Sequence, residues 1–131
     1  MPMSEATGTF DVKLVLLPVE NIADEALIQR RSIDKTFHGA LTGTSQGQML
    51  SSGTTIEGSG VYVAVERVTG TLDGKAGTFA LHHTGIMERG APALSVTIVP
   101  DSGTGELAGI RGTLAIDIRD KRHYYVLRYE L

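Results

Sequence analysis

Residues 59–87, with the sequence SGVYVAVERVTGTLDGKAGTFALHHTGIM, contain two stretches of alternating side chains on either side of a turn. Apolar or aromatic residues recur at every second position in each stretch: Val61, Val63 and Val65 in the first, Phe79 and Leu81 in the second. β-Branched and aromatic residues with a period of two are typical of strands with one buried face. Between them, Asp73-Gly74 is a strong signal for a two-residue hairpin turn. We therefore predict two adjacent antiparallel strands, at residues 59–69 and 77–87.

The same pattern continues on both sides of this hairpin. Six further strands are predicted at residues 7–17, 26–38, 41–51, 93–99, 112–119 and 122–131. Turn residues separate neighbouring strands, and only residues 20–27 and 102–110 have room for a helical turn. Eight consecutive strands with short connections predict an all-β fold, an antiparallel meander closed into an eight-stranded β-barrel, because closure removes exposed edges. We expect one domain over residues 1–131, with residues 1–6 disordered or extended.

Composition and charge restrict the class of partner. The 131 residues include 12 basic and 15 acidic side chains, a net charge of −3, so the chain lacks the basic surface that nucleic acid or an anionic membrane requires. Cysteine is absent, which excludes a disulfide and a thiolate zinc site. The strongly apolar run at residues 14–17 ends at Pro18, far short of a membrane-spanning helix, and the first ten residues do not resemble a signal peptide. We expect a cytoplasmic protein.

Two features match catalytic or metal-binding motifs but lack the context that those motifs need. Residues 43–47, GTSQG, fit the G-x-S-x-G pattern of serine hydrolases, which requires a sharp strand-to-helix turn that exposes the serine. Here a strand rich in Thr and Gln surrounds the serine, so a hydrolase is not expected. His82 and His83 are adjacent and face opposite sides of a strand, and the chain has no H-x-H pair. We therefore predict no metal site.

Four segments, at residues 32–39, 60–70, 77–85 and 100–112, resemble the bacterial DUF3224 family of uncharacterised proteins in order and spacing. The resemblance runs from about residue 7 to the C-terminus. That family is placed among the allene oxide cyclase-like barrels, with plant allene oxide cyclases and dirigent proteins. The shared glycine-rich stretch is matched by Gly103, Gly105, Leu107, Gly109 and Gly112. The resemblance implies an eight-stranded antiparallel barrel with an interior cavity, in which this stretch is a structural corner.

The resemblance also implies a range of functions. Barrels of this superfamily hold an apolar small molecule and steer a cyclisation, isomerisation or coupling without a cofactor. Relatives form dimers or trimers through barrel walls, and the strands at residues 61–65 and 94–98 have apolar faces that could supply such an interface. The expected partners are thus an apolar small molecule and further copies of the chain, although fold alone does not fix function.

The candidate site consists of polar side chains that share a strand face with large apolar residues. We predict that Glu66 and His83 form an acid–base pair at one mouth of the barrel, close together across the hairpin but not directly opposite. A carboxylate in an apolar pocket has a raised pKa and an imidazole titrates near neutrality, so either group could move a proton at pH 7. The predicted substrate-binding residues are Tyr62 and Tyr125, which would orient a ligand oxygen, Lys35 or Arg89, which would stabilise negative charge, and the apolar Phe37 and Phe79.

The charged residues also have structural interpretations. Glu66, beside Arg67, could be a surface charge, His83 could satisfy a backbone carbonyl in the core, and Lys35 could point outward. Three functions remain open: a cofactor-free cyclase or isomerase acting on an apolar oxygenated molecule, a lipocalin-like binder without catalysis, and a structural or stress-related protein with a filled barrel. The first two need a cavity, and a volume below roughly 300 Å³ would be too small for a drug-sized ligand.

Overall fold

Each of the eight predicted strands is present in the computed structural model, which describes residues 3–131. The strands are β1 (Ser4–Leu17), β2 (Ile28–Gly39), β3 (Leu41–Gly53), β4 (Gly60–Leu72), β5 (Lys75–Glu88), β6 (Ala91–Ile98), β7 (Arg111–Arg119) and β8 (Arg122–Glu130). β1 begins three residues earlier than predicted because its first residues pair with β8 at the other end of the chain. Residues 4–6 are therefore extended, whereas Met1 and Pro2 lie outside the described residues.

The strands form one antiparallel sheet in which each strand pairs with the next and β8 pairs with β1, so the sheet closes into a barrel. The prediction of an eight-stranded antiparallel barrel is confirmed. Closure is uneven: β6 and β7 are joined by one residue pair, Thr97 with Thr113, whereas β4 and β5 pair continuously from Gly60 to Leu72. No helix in the described part of the chain has the length and apolar character needed to cross a membrane.

The hairpin turns have the geometry that their residues favour. Asp73 and Gly74 have φ angles of 48° and 85°, and Asp120 and Lys121 have 51° and 65°. Two consecutive positive φ angles define the turn whose twist matches that of the flanking strands, and Asp-Gly suits it best. The two segments with room for a helical turn contain short 3₁₀ helices, at Asp24–Ala26 and Gly105–Leu107.

The two ends of the barrel differ in how they are filled. At one end, here called the closed end, the glycine-rich connection between β6 and β7 inserts Leu107 and Ile110, both almost completely buried, beneath the strands. Gly77 allows this approach, because a Cβ at that position would lie 2.1 Å from the carbonyl oxygen of Thr104. The prediction that this stretch is a structural corner agrees with its position. At the opposite, open end, inward-facing Leu16 and Leu94 remain about half exposed.

Candidate functional site

Four polar side chains meet in the interior of the barrel, midway between its ends. Lys35, Ser45, Glu66 and His83, here called the Glu66 cluster, project inward from β2, β3, β4 and β5. Lys35 Nζ donates to Glu66 Oε2 over 2.7 Å, Ser45 Oγ donates to Oε1 over 2.7 Å, and His83 Nε2 lies 2.6 Å from Oε2. Glu66 is 1% exposed and Lys35 7%, so neither is a surface charge nor points outward.

The register of the sheet brings these residues together. Lys35 is directly opposite Ser45, and Ala64 is opposite His83, which places His83 diagonally across from Glu66 as the hairpin offset predicted. Gly47 lies opposite Glu66, and a Cβ there would be 2.6 Å from the Cα of Glu66. A glycine is therefore required at this position, because any side chain would push the two strands apart where the carboxylate is held.

The charge state of Glu66 differs from the prediction. Burial would raise its pKa, but the hydrogen bond from His83 and the charge and hydrogen bond of Lys35 outweigh burial and lower the pKa from 4.5 to about 2. The predicted rise was wrong because it considered the apolar surroundings without the two donors. Glu66 is thus ionised at neutral pH, so it cannot donate a proton there, and its chemical effect is to hold and orient Lys35 and His83.

His83 is the member of the cluster best suited to exchange a proton. Its Nε2 is engaged by Glu66, so in the neutral ring Nδ1 carries the free lone pair. Within residues 3–131 no completely buried side-chain nitrogen or oxygen is without a hydrogen-bond partner, and Nδ1 has no protein partner there, so this atom retains a small accessible surface. On the other side of the cluster, the ammonium of Lys35 lies 4.8 Å from the ring centre of Phe10, a cation–π contact.

A cavity of about 970 Å³ occupies the open end of the barrel. It is lined mainly by apolar side chains of the strand ends and of the β1–β2 connection, among them Leu16, Ile22, Leu27, Met49 and Leu94. The volume is well above the roughly 300 Å³ that a drug-sized ligand needs. This end of the barrel therefore has room for a small molecule.

Tyr62 forms the polar part of the cavity wall nearest to the Glu66 cluster. Its ring lies over Gly85, where a Cβ would be 2.1 Å from the ring atom Cε1, so Gly85 leaves the space that the ring occupies. Burial and the negative charge of Glu66 raise the pKa of Tyr62, which keeps its hydroxyl protonated. That hydroxyl has no side-chain hydrogen bond to any residue from 3 to 131, so it is free to bond to a ligand.

The other predicted site residues are divided between the cluster, the core and the surface. Tyr62 alone of the predicted set lines the cavity, and Glu66, His83 and Lys35 lie deeper. Phe37, Phe79 and Tyr125 are buried toward the closed end, and Arg89 is exposed in the β5–β6 turn. Their positions give no support to the predicted ligand contacts for these last four residues.

Ser45 and Met49 were missed by the sequence-based prediction. In the sequence, Ser45 stands out only as part of the G-x-S-x-G pattern, which does not predict a hydrolase nucleophile in this context. In the structure it is fully buried and donates to Glu66, and the two glycines of the pattern make room for neighbouring strands. The available signal was alternation: Leu41, Ser45 and Met49 share the inward face of β3. Within the described residues no three His, Cys, Asp or Glu side chains are grouped as metal ligands.

Tyr125 has a structural role in the barrel, because its hydroxyl bonds to the backbone and not to the cavity. Its hydroxyl accepts a hydrogen bond from the backbone N–H of Leu41 over 2.9 Å and lies 3.0 Å from the carbonyl oxygen of His38. We expect Tyr125→Phe to lower the free energy of unfolding by about 1–3 kcal/mol, because the buried N–H of Leu41 loses its partner. Tyr124→Phe, at a neighbouring outward position, should change it by less than about 0.5 kcal/mol. Urea unfolding measures both, and equal losses would contradict the assignment.

The relatives of this chain agree with the architecture. Residues 6–129 match the family model described as a protein of unknown function, DUF3224. A crystal structure of a DUF3224 protein of unknown function from Shewanella oneidensis MR-1 is 43% identical, with a TM-score of 0.93 over 98% of this chain and 97% of that one. No curated protein matches the sequence. Since the family model spans nearly the whole barrel, this chain belongs to the DUF3224 family.

Proposed function

We propose that this protein binds an apolar, oxygenated small molecule in the cavity at the open end of the barrel. The observation that carries the proposal is the 970 Å³ volume with its mainly apolar lining and the free hydroxyl of Tyr62. Apolar clefts with one or two well-placed polar groups are the usual form of a small-molecule site. The apolar lining would supply most of the affinity, and Tyr62 would fix the ligand by one of its oxygens.

A bulky side chain placed inside the cavity should weaken this binding. Ser51 faces the cavity from β3 and is half-buried, so Ser51→Phe would place a ring inside it. We expect the affinity for the apolar fluorescent probe 8-anilinonaphthalene-1-sulfonate to fall about 10-fold or more, a change measured by fluorescence titration. Thr36→Phe, on the exposed outer face of β2, is the matched control and should bind the probe as the unaltered protein does. Equal affinities for all three proteins would refute a binding site in this cavity.

The proposal has a finer form, in which the protein is a cofactor-free cyclase or isomerase of the allene oxide cyclase-like group. It is supported by the arrangement of His83, whose Nδ1 is free while Nε2 is held by an ionised carboxylate. A base oriented by a carboxylate is a recurring arrangement for proton transfer. In this form His83 moves the proton and Glu66 is a positioning residue. His83 is the next inward position on β5 after Gly85, which lines the cavity, so the ligand would have to pass the ring of Tyr62.

Proton exchange tests this finer form without knowledge of the natural substrate. In D₂O, a panel of apolar ketones that bind the cavity should exchange α-protons for deuterium in the presence of the protein, as followed by NMR. His83→Gln should remove the exchange while retaining probe binding, and Tyr62→Phe should weaken ketone binding. Exchange that is no faster than with His83→Gln, for ketones shown to bind, would eliminate the isomerase and leave the binding proposal standing.

A further inference from the structure

Arg31 is a basic side chain on the inner face of the barrel, at the open end. Directly paired residues of an antiparallel sheet project from the same face. Arg31 is paired with Leu16 on β1 and with Met49 on β3, and both of these residues line the cavity. Gln29, the next inward position toward the mouth, also lines the cavity, and Nη2 of Arg31 donates to its Oε1 over 3.0 Å. The guanidinium of Arg31 therefore lies at the cavity wall.

This guanidinium has no counter-charge in the described chain. Within residues 3–131, no Asp or Glu forms an ion pair with Arg31. The other basic residue on the inner face of β2, Lys35, is already balanced by Glu66. Arg31 is partly buried beside apolar side chains, where an opposite charge stabilises it more than it would in water. The inner face of β2 thus carries one uncompensated positive charge.

The polar groups of the cavity lie on the same side as this charge. Gln29, Ser51 and Tyr62 are successive partners across β2, β3 and β4, and all three line the cavity. In a closed sheet of eight strands β6 lies across the barrel from β2, and there the lining residue is the apolar Leu94. A bound molecule therefore meets hydrogen-bonding groups on one wall and an apolar surface on the other.

From these observations we infer that the molecule bound in the cavity carries an anionic oxygen group, such as a carboxylate or a sulfonate, which Arg31 binds. The inference rests on the proposed binding function and names the chemistry of its ligand. The planar guanidinium keeps N–H groups that Gln29 does not use, and it can donate parallel hydrogen bonds to two oxygens of such a group. The apolar part of the ligand then packs toward Leu94.

The acidic residue at the cavity does not counteract this preference. Of the described residues that line the cavity, Asp24 alone is acidic, and it is exposed in the β1–β2 connection. Water and salt screen an exposed charge, whereas the charge of the partly buried Arg31 is screened much less. Asp24→Asn should therefore bind an anionic probe at least as tightly as the unaltered protein does, and weaker binding would contradict this assignment of charges.

The main test compares two fluorescent probes that differ by one acidic group. 8-Anilinonaphthalene-1-sulfonate is an anion, and N-phenyl-1-naphthylamine is the same ring system without the sulfonate. Arg31→Gln should lower the affinity for the sulfonate about 10-fold or more and change that for the neutral probe by less than about 2-fold, as measured by fluorescence titration at pH 7. Arg119→Gln makes the same change of net charge at an exposed position of β7 and should alter neither affinity.

Arg31→Lys repeats the test in a variant that retains the charge. It lacks the planar fork, so it should bind the sulfonate more tightly than Arg31→Gln but less tightly than the unaltered protein. Circular dichroism identifies any variant that has lost the barrel, and should Arg31→Gln do so, the two probes are compared on Arg31→Lys.

The two probes separate failure of this inference from failure of the binding site. If the neutral probe binds but the Arg31 variants keep full affinity for the sulfonate, the anionic ligand is refuted and the binding proposal stands. The same holds if an Arg31 variant loses both probes equally, or if Arg119→Gln loses the sulfonate to the same extent. If neither probe binds the unaltered protein, the proposed function fails, and this inference fails with it.

Discussion

Replacing Glu66 with alanine is expected to lower the free energy of unfolding by about 3–5 kcal/mol. The substitution removes the acceptor of Lys35, Ser45 and His83 in a part of the barrel where the carboxylate is 1% exposed. Burying an ammonium without a counter-charge costs far more free energy than the intact ion pair contributes to the stability of the fold. Because small domains have only about 5–15 kcal/mol of stability in total, the variant should be close to unfolding at room temperature. Urea unfolding followed by circular dichroism measures the change.

Two further variants show whether the loss comes from the unpaired charge. Glu57→Ala removes an exposed glutamate and should change stability by less than about 0.5 kcal/mol. Lys35→Met combined with Glu66→Gln replaces the ion pair by uncharged side chains of similar size, and such replacements are often close to neutral. The double variant should therefore be more stable than Glu66→Ala. A loss below about 1 kcal/mol in Glu66→Ala would mean that water reaches the cluster and solvates Lys35.

The fold could be predicted from sequence because its signals are local. The period of two in the stretch around Val61–Val65 and the Asp73-Gly74 turn depend only on residues close together in the chain, and the structure confirms both. The same alternation placed Glu66, His83 and Lys35 on strand faces that carry large apolar residues, but the sequence left open whether these side chains point inward, as the structure shows that they do. Each of these inferences needed no knowledge of which strands lie across the barrel.

The chemistry of the site depended on contacts between distant residues. Lys35 is 31 positions from Glu66 and His83 is 17, so the donors that lower the pKa of the carboxylate are brought to it by strand register. The sequence predicted the apolar neighbours of Glu66, but it did not predict that Lys35 and His83 donate hydrogen bonds to its carboxylate. The predicted direction of the pKa shift was wrong for this reason.

Local sequence patterns did not predict the position of the cavity either. Leu94 alternates with the buried residues Val96 and Ile98, and nothing in the sequence distinguishes it from them, yet it lines the open cavity. The difference arises from strand length: β7 and β8 have nine residues each, whereas β1 and β5 have 14, so the wall is lower on one side. Inward side chains beyond the shorter strands have no opposite wall to pack against, and the end of the barrel stays open.

Acid should remove the stabilisation that Glu66 provides. Its pKa is 4.5 in the unfolded chain and about 2 in the barrel, so the unfolded state binds a proton first as the pH falls. The stabilisation is fully present above pH 4.5 and is lost between pH 4.5 and about 2. A difference of about 2.5 pKa units corresponds to about 3 kcal/mol. Above pH 5, the contribution of Glu66 to the free energy of unfolding should not change with pH.

Other carboxylates titrate in the same range, so the measurement must isolate Glu66. The free energy of unfolding is determined by urea titration from pH 7 to pH 2 for the unaltered protein and for Glu66→Gln, and the two profiles are subtracted. The difference in the free energy of unfolding should be constant from pH 7 to pH 5 and then shrink steadily toward pH 2. Glutamine does not titrate, whereas the contribution of ionised Glu66 to stability falls as the pH decreases. Parallel profiles would show that Glu66 has an ordinary pKa and that Lys35 and His83 do not hold it ionised. The same ionised carboxylate is what orients His83, so that outcome would also remove the structural basis for proton transfer at its Nδ1 atom.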